Sequence, residues 1–372
     1  MFDAHYWSLV PFHFWSVVFF VFGSIVGSFL NVCIHRMPLD ESIVSPPSHC
    51  PHCKYSIPWF LNIPLATWLY LGGKCRNCGA PISIRYFLVE LLTAITFCGC
   101  WLAFGHVSAS LALIYCIFLA GLIAATFIDA EHYIIPDEIT LGGVAVGFIC
   151  SFLVPRLHGE TSLTDAMKHS GLGIAAGAGI IYAIVRLGKL AFGRKKHRLP
   201  ADTRIIFTET ALHLPDEDIL YEEVFYRKSD TIRLHALTVE LVDRCYRDVQ
   251  VRLSPDLLQI GEEKLTPEEV PHMEAVSDSI ILPREAMGLG DVKFMAAIGA
   301  FVGWQGVIFS LTLSSAIGAL VGLTLIVIGK RPARLPYGPY IAAAAALWIF
   351  AGHERLAWYM GLMTRIGGGH VP

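Results

Sequence analysis

Asp129 and Asp291 stand 162 positions apart, and each lies at the edge of an apolar run. Asp129 closes one run in FIDAEHYIIPDEIT, and Asp291 opens another in REAMGLGDVKF. A charged side chain at the centre of a bilayer costs about 2.5–3.5 kcal/mol on insertion scales, and less near the interface, so its presence demands a reason. Two carboxylates converging in one membrane plane could perform acid–base hydrolysis. One, ionised, would activate water, while the other, protonated, would donate to a peptide carbonyl. Close like charges enforce that division of labour. Helix direction assigns the roles: Asp291 sits near the N-terminus of its helix, where the macrodipole favours negative charge, and Asp129 near the C-terminus of its own. Asp291 is therefore expected to be the base and Asp129 the resting acid.

The residues around the pair are read against simpler explanations. Gly288 and Gly290 flank Leu289 before Asp291; glycine there leaves the backbone open to an extended substrate, although a lone GxGD would otherwise read as a turn with an N-cap aspartate. Lys293 opposes the dipole of its first helical turn, which leaves pairing with a nearby carboxylate, substrate binding or a solvated face. Asp137 follows Pro136 and precedes an apolar run, the pattern of an N-cap. Glu131 and His132 either tune the site or face water.

Four cysteines carry the second chemical signal. Cys50-Pro-His-Cys53 and Cys75-Arg-Asn-Cys78, with 21 residues between the pairs, have the spacing of a tetrahedral zinc ribbon rather than of redox pairs. Four thiolates saturate the ion and leave no position for a catalytic water, so such a zinc would fold the loop and shape a docking surface. Cys33, Cys98, Cys100, Cys116 and Cys150 lie in or beside apolar runs and read as small hydrophobes. HExxH, GxSxG and Walker A patterns are missing, which removes the commonest zinc-protease, serine-hydrolase and P-loop assignments. A GxGxxA match at Gly171–Ala176 lies inside an apolar run with no preceding strand and reads as small-residue helix packing.

The elements that must position these groups are membrane helices. Hydrophobic residues make up 54% of the chain and mean hydropathy is +0.55, well above globular usage. A helix spanning the hydrocarbon core takes about 20 apolar residues. Eight runs qualify, near 9–34, 86–104, 108–128, 139–155, 170–190, 291–304, 306–329 and 338–362. The fold class is thus an all-α polytopic membrane protein of about eight transmembrane helices, with a cytoplasmic zinc-binding loop and a small soluble α+β insert. The expected segments are a first helix (1–35), a four-cysteine zinc loop (36–85), helices two to five with Asp129 (86–190), the insert (191–287), and the GxGD motif with helices six to eight (288–372).

Charge orients the spans. Arg36, Lys54, Lys74, Arg76 and Arg85 flank the cysteine loop, Arg194, Lys195, Lys196 and Arg198 follow the fifth span, and Lys330, Arg331 and Arg334 follow the seventh. With eight spans these fall on one side, the cytoplasm by the positive-inside rule, and both aspartates lie at that boundary. The apolar N-terminal run lacks a preceding Lys or Arg, which argues against a cleaved signal peptide. Residues 199–285 hold 19 of the 31 acidic residues, marking a water-exposed domain with alternating stretches such as Val249, Val251 and Leu253.

Taken together, these residues resemble the bacterial prepilin peptidases, or type IV prepilin leader peptidases, of the GxGD aspartyl class. The likeness lies in Gly27-Ser-Phe-Leu-Asn31-Val with His35-Arg36, the paired CxxC loop, Arg85-Tyr-Phe-Leu-Val-Glu90-Leu-Leu, Ile128-Asp129 with Ile135-Pro136-Asp137, Arg284-Glu-Ala-Met-Gly-Leu-Gly-Asp291-Val-Lys293, and Pro336-Tyr-Gly338-Pro339. The resemblance implies location in the bacterial inner membrane with the active site facing the cytoplasm. It implies removal of a short basic leader from prepilins or pseudopilins, then N-methylation of the new amine from S-adenosylmethionine. Asp129 and Asp291 match the family's catalytic aspartates. The partners are these substrates and the lipid bilayer, with no nucleic acid; a homo-oligomer is left open. The insert is absent from shorter family members and reads as a tolerated surface insertion ahead of a substrate gate. The rival functions are a proton-coupled membrane transporter, a zinc-bearing scaffold, and a peptidase without methyl transfer.

Overall fold

The computed structural model describes residues 10–192, 194–215, 218–225, 230–283, 288–329 and 335–352. These fall into two compact units, one of residues 1–181 and 289–372 and the other of residues 182–288.

Apolar composition and sparse charge make the first unit helical. Helix α1 (Phe12–Arg36) packs antiparallel on α2 (Ile84–Phe104), which is N-capped by the Ser83 hydroxyl. The seam is built on small residues: a Cβ on Gly27 would stand 2.7 Å from Glu90 Cα. Close backbone approach of this kind is what packs helices where lipid is as apolar as the side chains. At the far end of the seam Trp101 is buried under Phe12 and Phe19, with ring centroids 5.3 and 4.8 Å away, and its indole N–H donates to Phe12 O at 3.1 Å. Helix α3 (Ala109–His132), capped by Ser108, is the most enclosed of the long helices and ends on Tyr133 in the left-handed conformation. Helix α4 (Asp137–Leu153) packs on α6 (Leu289–Val327), and α7 (Gly338–Leu347), extended by a π turn through Gly352, packs on α3 and α6.

Helix α5 (Leu163–Phe192) meets α6 where Gly173 faces Gly299 and Gly177 faces Met295, backbone against backbone with no room for a methyl group. The small-residue explanation of the GxGxxA match is thus the observed one. Large apolar side chains such as Phe14, Phe22, Ile117, Phe152 and Leu320 remain exposed, as expected of a surface meant for lipid.

Among the described residues, five helices are long and apolar enough to cross a membrane: Phe12–Leu39, Ile84–Phe104, Ala109–His132, Leu163–Leu190 and Leu289–Val327. The expected count of eight is not established. The fourth expected span is the 17-residue α4, and the eighth is described only over the shorter Gly338–Gly352. The sixth and seventh run together as the 39-residue α6. That helix is interrupted at Gly303, whose φ of 69° and ψ of 178° no L side chain adopts readily, so 289–302 and 304–327 are separately helical.

The second unit differs from the α+β expectation. It contains one antiparallel sheet of eight strands in the order β3-β2-β1-β8-β4-β5-β6-β7. The strands are β1 (Arg194–Phe207), β2 (Ala211–His213), β3 (Asp218–Leu220), β4 (Ile232–Glu240), β5 (Cys245–Ser254), β6 (Leu257–Ile260), β7 (Glu263–Leu265) and β8 (Met273–Pro283). Beyond the end of α5, its only α-helix among the described residues is the single turn Tyr221–Val224. Alternation drives the pairing: Ile232, Leu234, Ala236 and Val239 of β4 and Met273, Ala275, Ile280 and Leu282 of β8 turn to one core, and charged neighbours turn away. The long strands lie centrally and the edges β3 and β7 have three residues each, which limits edge-to-edge pairing. Lys189, near the end of α5, donates at 2.7 Å to Asp230, which is buried.

Candidate active site

Asp129 sits in the last turn of α3 and is buried, with 6% of its surface exposed. Its Oδ2 accepts the backbone N–H of Gly338, at the start of α7, at 2.8 Å. Asp291 lies half-buried in the first turn of α6. The two helix directions are those expected from the sequence, one aspartate at a C-terminus and the other at an N-terminus.

The turn that leaves α3 brings the segments together. Tyr133 N–H closes on Asp129 O at 3.0 Å, and the chain turns through Ile135 and Pro136 into α4. A Cβ on Gly290 would stand 3.9 Å from Ile135, and Lys293 Nζ reaches Asp137 Oδ1 and Oδ2 at 2.7 and 2.8 Å. The first turn of α6, which carries Asp291, is therefore docked on the turn six to eight residues past Asp129.

Some of the alternatives close on this geometry. Asp137 is not an N-cap: Pro136 occupies that position, Asp137 is the first helical residue, and its carboxylate makes no cap hydrogen bond because it is engaged with Lys293. Lys293 takes the carboxylate-pairing option. Gly290 has ordinary helical backbone and room for a Cβ, so neither backbone strain nor close packing requires a glycine there. Gly288 is exposed and precedes α6. The Arg284-Glu-Ala-Met stretch and the basic residues 330–334 lie outside the described residues.

Glu131 is paired with Arg85 at the start of α2. Glu90, one turn and a half further along α2, is buried and accepts the Leu65 N–H at 2.7 Å, tying the cysteine loop to the helices. Asn31 of α1 donates to Tyr86 O at 3.0 Å. None of these roles follows from spacing, and Gly338 was visible only as part of the Pro336-Tyr-Gly-Pro339 motif.

The four loop cysteines come together. Each CxxC forms a knuckle: Cys50 N–H donates to Tyr55 O and Lys54 N–H to Cys50 O, while Cys75 N–H donates to Ala80 O and Gly79 N–H to Cys75 O. Lys54 and Gly79, each following its second cysteine, adopt positive φ at 56° and 71°. The four Sγ atoms lie within 4.8 Å of one another, with Cys50 to Cys78 at 3.8 Å and Cys53 to Cys75 at 4.0 Å. Tetrahedral thiolates at the zinc–sulfur distance of about 2.3 Å stand about 3.8 Å apart, so the donor set fits a metal ion. The Asn77 amide and then a backbone hydrogen bond at Tyr55 bring the Cys53 thiol down to about 6. The backbone N–H groups of Cys78 and Asn77 hold Cys75 below its ordinary value.

Two family models match. One, described as the bacterial peptidase A24 N-terminal domain, covers residues 21–104. The other, the type IV leader peptidase family, covers 116–194 and 273–323 and passes over most of the sheet domain. Together they take in more than half of the chain. A prepilin leader peptidase/N-methyltransferase of Aeromonas hydrophila is 28% identical over 362 residues, covering 90% of each chain. The protein of the same name from Myxococcus xanthus is 39% identical over 180 residues, 44% of this chain and 52% of that one. A type 4 prepilin-like proteins leader peptide-processing enzyme of Escherichia coli is 42% identical over 146 residues, 34% of this chain and 54% of its own. No solved structure matches. These matches make the chain an enzyme of the peptidase class. It belongs to the type IV leader peptidase family.

Proposed function

We propose that this enzyme is an aspartyl endopeptidase that removes leader peptides from prepilins or pseudopilins at the cytoplasmic face of the inner membrane. The observation that carries this reading is the docking of the Asp291 turn on the turn that follows Asp129, through Gly290 with Ile135 and Lys293 with Asp137. It gathers two carboxylate-bearing helix ends, in a member of the leader peptidase family, at the side where basic loops accumulate.

In this mechanism Asp291 takes a proton from water as the water attacks the scissile carbonyl. Asp129 donates to the carbonyl oxygen, and collapse of the intermediate returns a proton from Asp291 to the leaving amine. Gly288 and Gly290 leave the backbone open to the substrate, and Lys293 lines the approach while held by Asp137.

Methyl transfer from S-adenosylmethionine to the new N-terminus is proposed from the names of the relatives. No constellation among the described residues defines its site, and no step is routed through it. Zinc is the ion proposed for Cys50, Cys53, Cys75 and Cys78, where it would fold the loop that Glu90 anchors at Leu65.

The test is to incubate purified enzyme with a synthetic prepilin and weigh the products. Wild type should release the leader and yield a mature chain one methyl heavier when S-adenosylmethionine is supplied. Asp129→Asn and Asp291→Asn should each abolish release. Cleavage by either variant at the wild-type rate would reject the aspartyl mechanism, and an unmethylated product would leave a peptidase alone.

A further inference from the structure

Asp129 is oriented by an element 209 positions away. Gly338 N–H donates to its Oδ2 at 2.8 Å. A Cβ on residue 338 would stand 2.7 Å from that oxygen and 3.1 Å from the carboxyl carbon, closer than side chains pack, so glycine is what lets the main chain approach. Gly338 opens α7, where an N–H has no acceptor within the helix and is free to serve an outside group. Pro339 stands next to it and fixes φ at the second helical position.

The position of this backbone is set in turn from α6. Tyr337 Oη lies 2.8 Å from Ser314 Oγ and 3.1 Å from Ser315 Oγ. Ser314 is fully buried and donates to Leu311 O at 3.0 Å. A continuous set of contacts therefore runs from the middle of α6 through Tyr337 and Gly338 to the Asp129 carboxyl group.

We infer that Gly338 is the positioning residue of Asp129 in the proposed hydrolysis, and that Tyr337, anchored on Ser314 and Ser315, fixes where Gly338 stands. The inference rests on the reading of Asp129 as catalytic. A backbone N–H can only donate, so the oxygen it faces is the bare one whenever Asp129 is protonated. The proton then resides on Oδ1, which accepts no hydrogen bond among the described residues. Rotation of the carboxyl group would break the Gly338 bond, so Oδ1 is the atom held toward the substrate. On attack, Oδ1–H passes its proton to the scissile carbonyl oxygen while water passes one to Asp291. On collapse, the carbon–nitrogen bond breaks, Asp291 returns its proton to the amine, and the hydroxyl of the intermediate returns one to Oδ1. Between these steps the Asp129 carboxylate is stabilised by the same N–H.

The experiment uses full-length enzyme in proteoliposomes with a synthetic prepilin, measuring kcat, KM and the pH–rate profile. Gly338→Ala should lower kcat by at least about tenfold, the worth of one hydrogen bond to a charged group, with KM changed by less than about twofold. Tyr337→Phe and Ser314→Ala should each lower kcat by a smaller factor at unchanged KM, and all three should displace the alkaline limb of the profile, which loss of the Asp129 proton sets, toward higher pH. Tyr337→Phe and Ser314→Ala decide the matter if Gly338→Ala does not fold. Asp129→Asn run in parallel separates the two failures. If it cleaves like wild type, the catalytic reading falls and this inference with it. If it is inactive while the folded variants keep wild-type kcat and pH profile, the positioning role alone is overturned.

Discussion

Lys293 and Asp137, 156 positions apart, are joined by one ammonium shared between both carboxylate oxygens at 2.7 and 2.8 Å. Both side chains are more than a third exposed, so the pair contributes little to global stability, about 1 kcal/mol at most. Its consequence is local, because it fixes the turn that carries Asp291 against the turn after Asp129. Lys293→Met and Asp137→Asn should each lower kcat/KM several-fold, and the double variant should be no worse than the more damaging single one, since the two act as a unit. A double-mutant cycle on cleavage measures this; additive losses would mean that the residues act independently.

The thiolate cluster should hold one metal ion per chain, to be counted by elemental analysis of purified enzyme. Cys53→Ser or Cys75→Ser should release it and open the segment between α1 and α2 to protease, because folding of that loop is linked to the ion. Acid should act in the same direction. Protons compete with the metal for the four thiolates, so metal content should fall as pH is lowered. Retention of metal in either serine variant would refute the four-thiolate site.

The sheet domain should weaken in acid. His272, and then Arg204, hold the Glu274 carboxyl below its ordinary value of 4.5, and Arg244 holds Asp243 below 3.8. Carboxyls depressed in the fold contribute stability that is complete above the ordinary value and is lost as pH drops through the folded one. Hydrogen exchange on the whole chain should therefore show protection at the Glu240–Cys245 and Met273–Glu274 ends of β4, β5 and β8 falling below about pH 4.5. Unchanged protection down to about pH 3 would deny these carboxylates a role.

Because Lys196 pairs with Ile281 and Arg198 with Ser279 across β1 and β8, the two ends of the insert lie side by side. Replacing residues 200–280 with a short linker should therefore leave cleavage within about threefold of wild type, with an unchanged ranking of prepilin substrates, as a tolerated surface insertion predicts. A changed ranking in competition assays would make the sheet a selector.

The long helices and the paired-cysteine loop were legible because each is written locally. Apolar runs broken by charge mark the former, and two CxxC pairs mark the latter. The two aspartates stood out because charge at the edge of an apolar run is costly wherever it occurs. The sheet was legible only as an exposed insert: strands as short as Ala211–His213 and Glu263–Leu265 are below the length at which alternation can be told from chance. At α6 the boundary expected near residue 304 falls at Gly303, which interrupts a run that stays apolar on both sides. Contacts such as Gly338 with Asp129, or Lys293 with Asp137 in place of an N-cap, depend on how helices cross, which spacing along one chain does not encode.

The crossing of Gly173 over Gly299 has a reach beyond its own few atoms. Gly299 lies eight residues past Asp291, about 12 Å along the helix. With main chain resting on main chain, the pivot there has no compressible side chain to absorb error. Even a single added carbon on either glycine would be transmitted along a stiff rod to the carboxylate at its tip, so inactivating changes in this enzyme should be found far from any atom that meets the substrate.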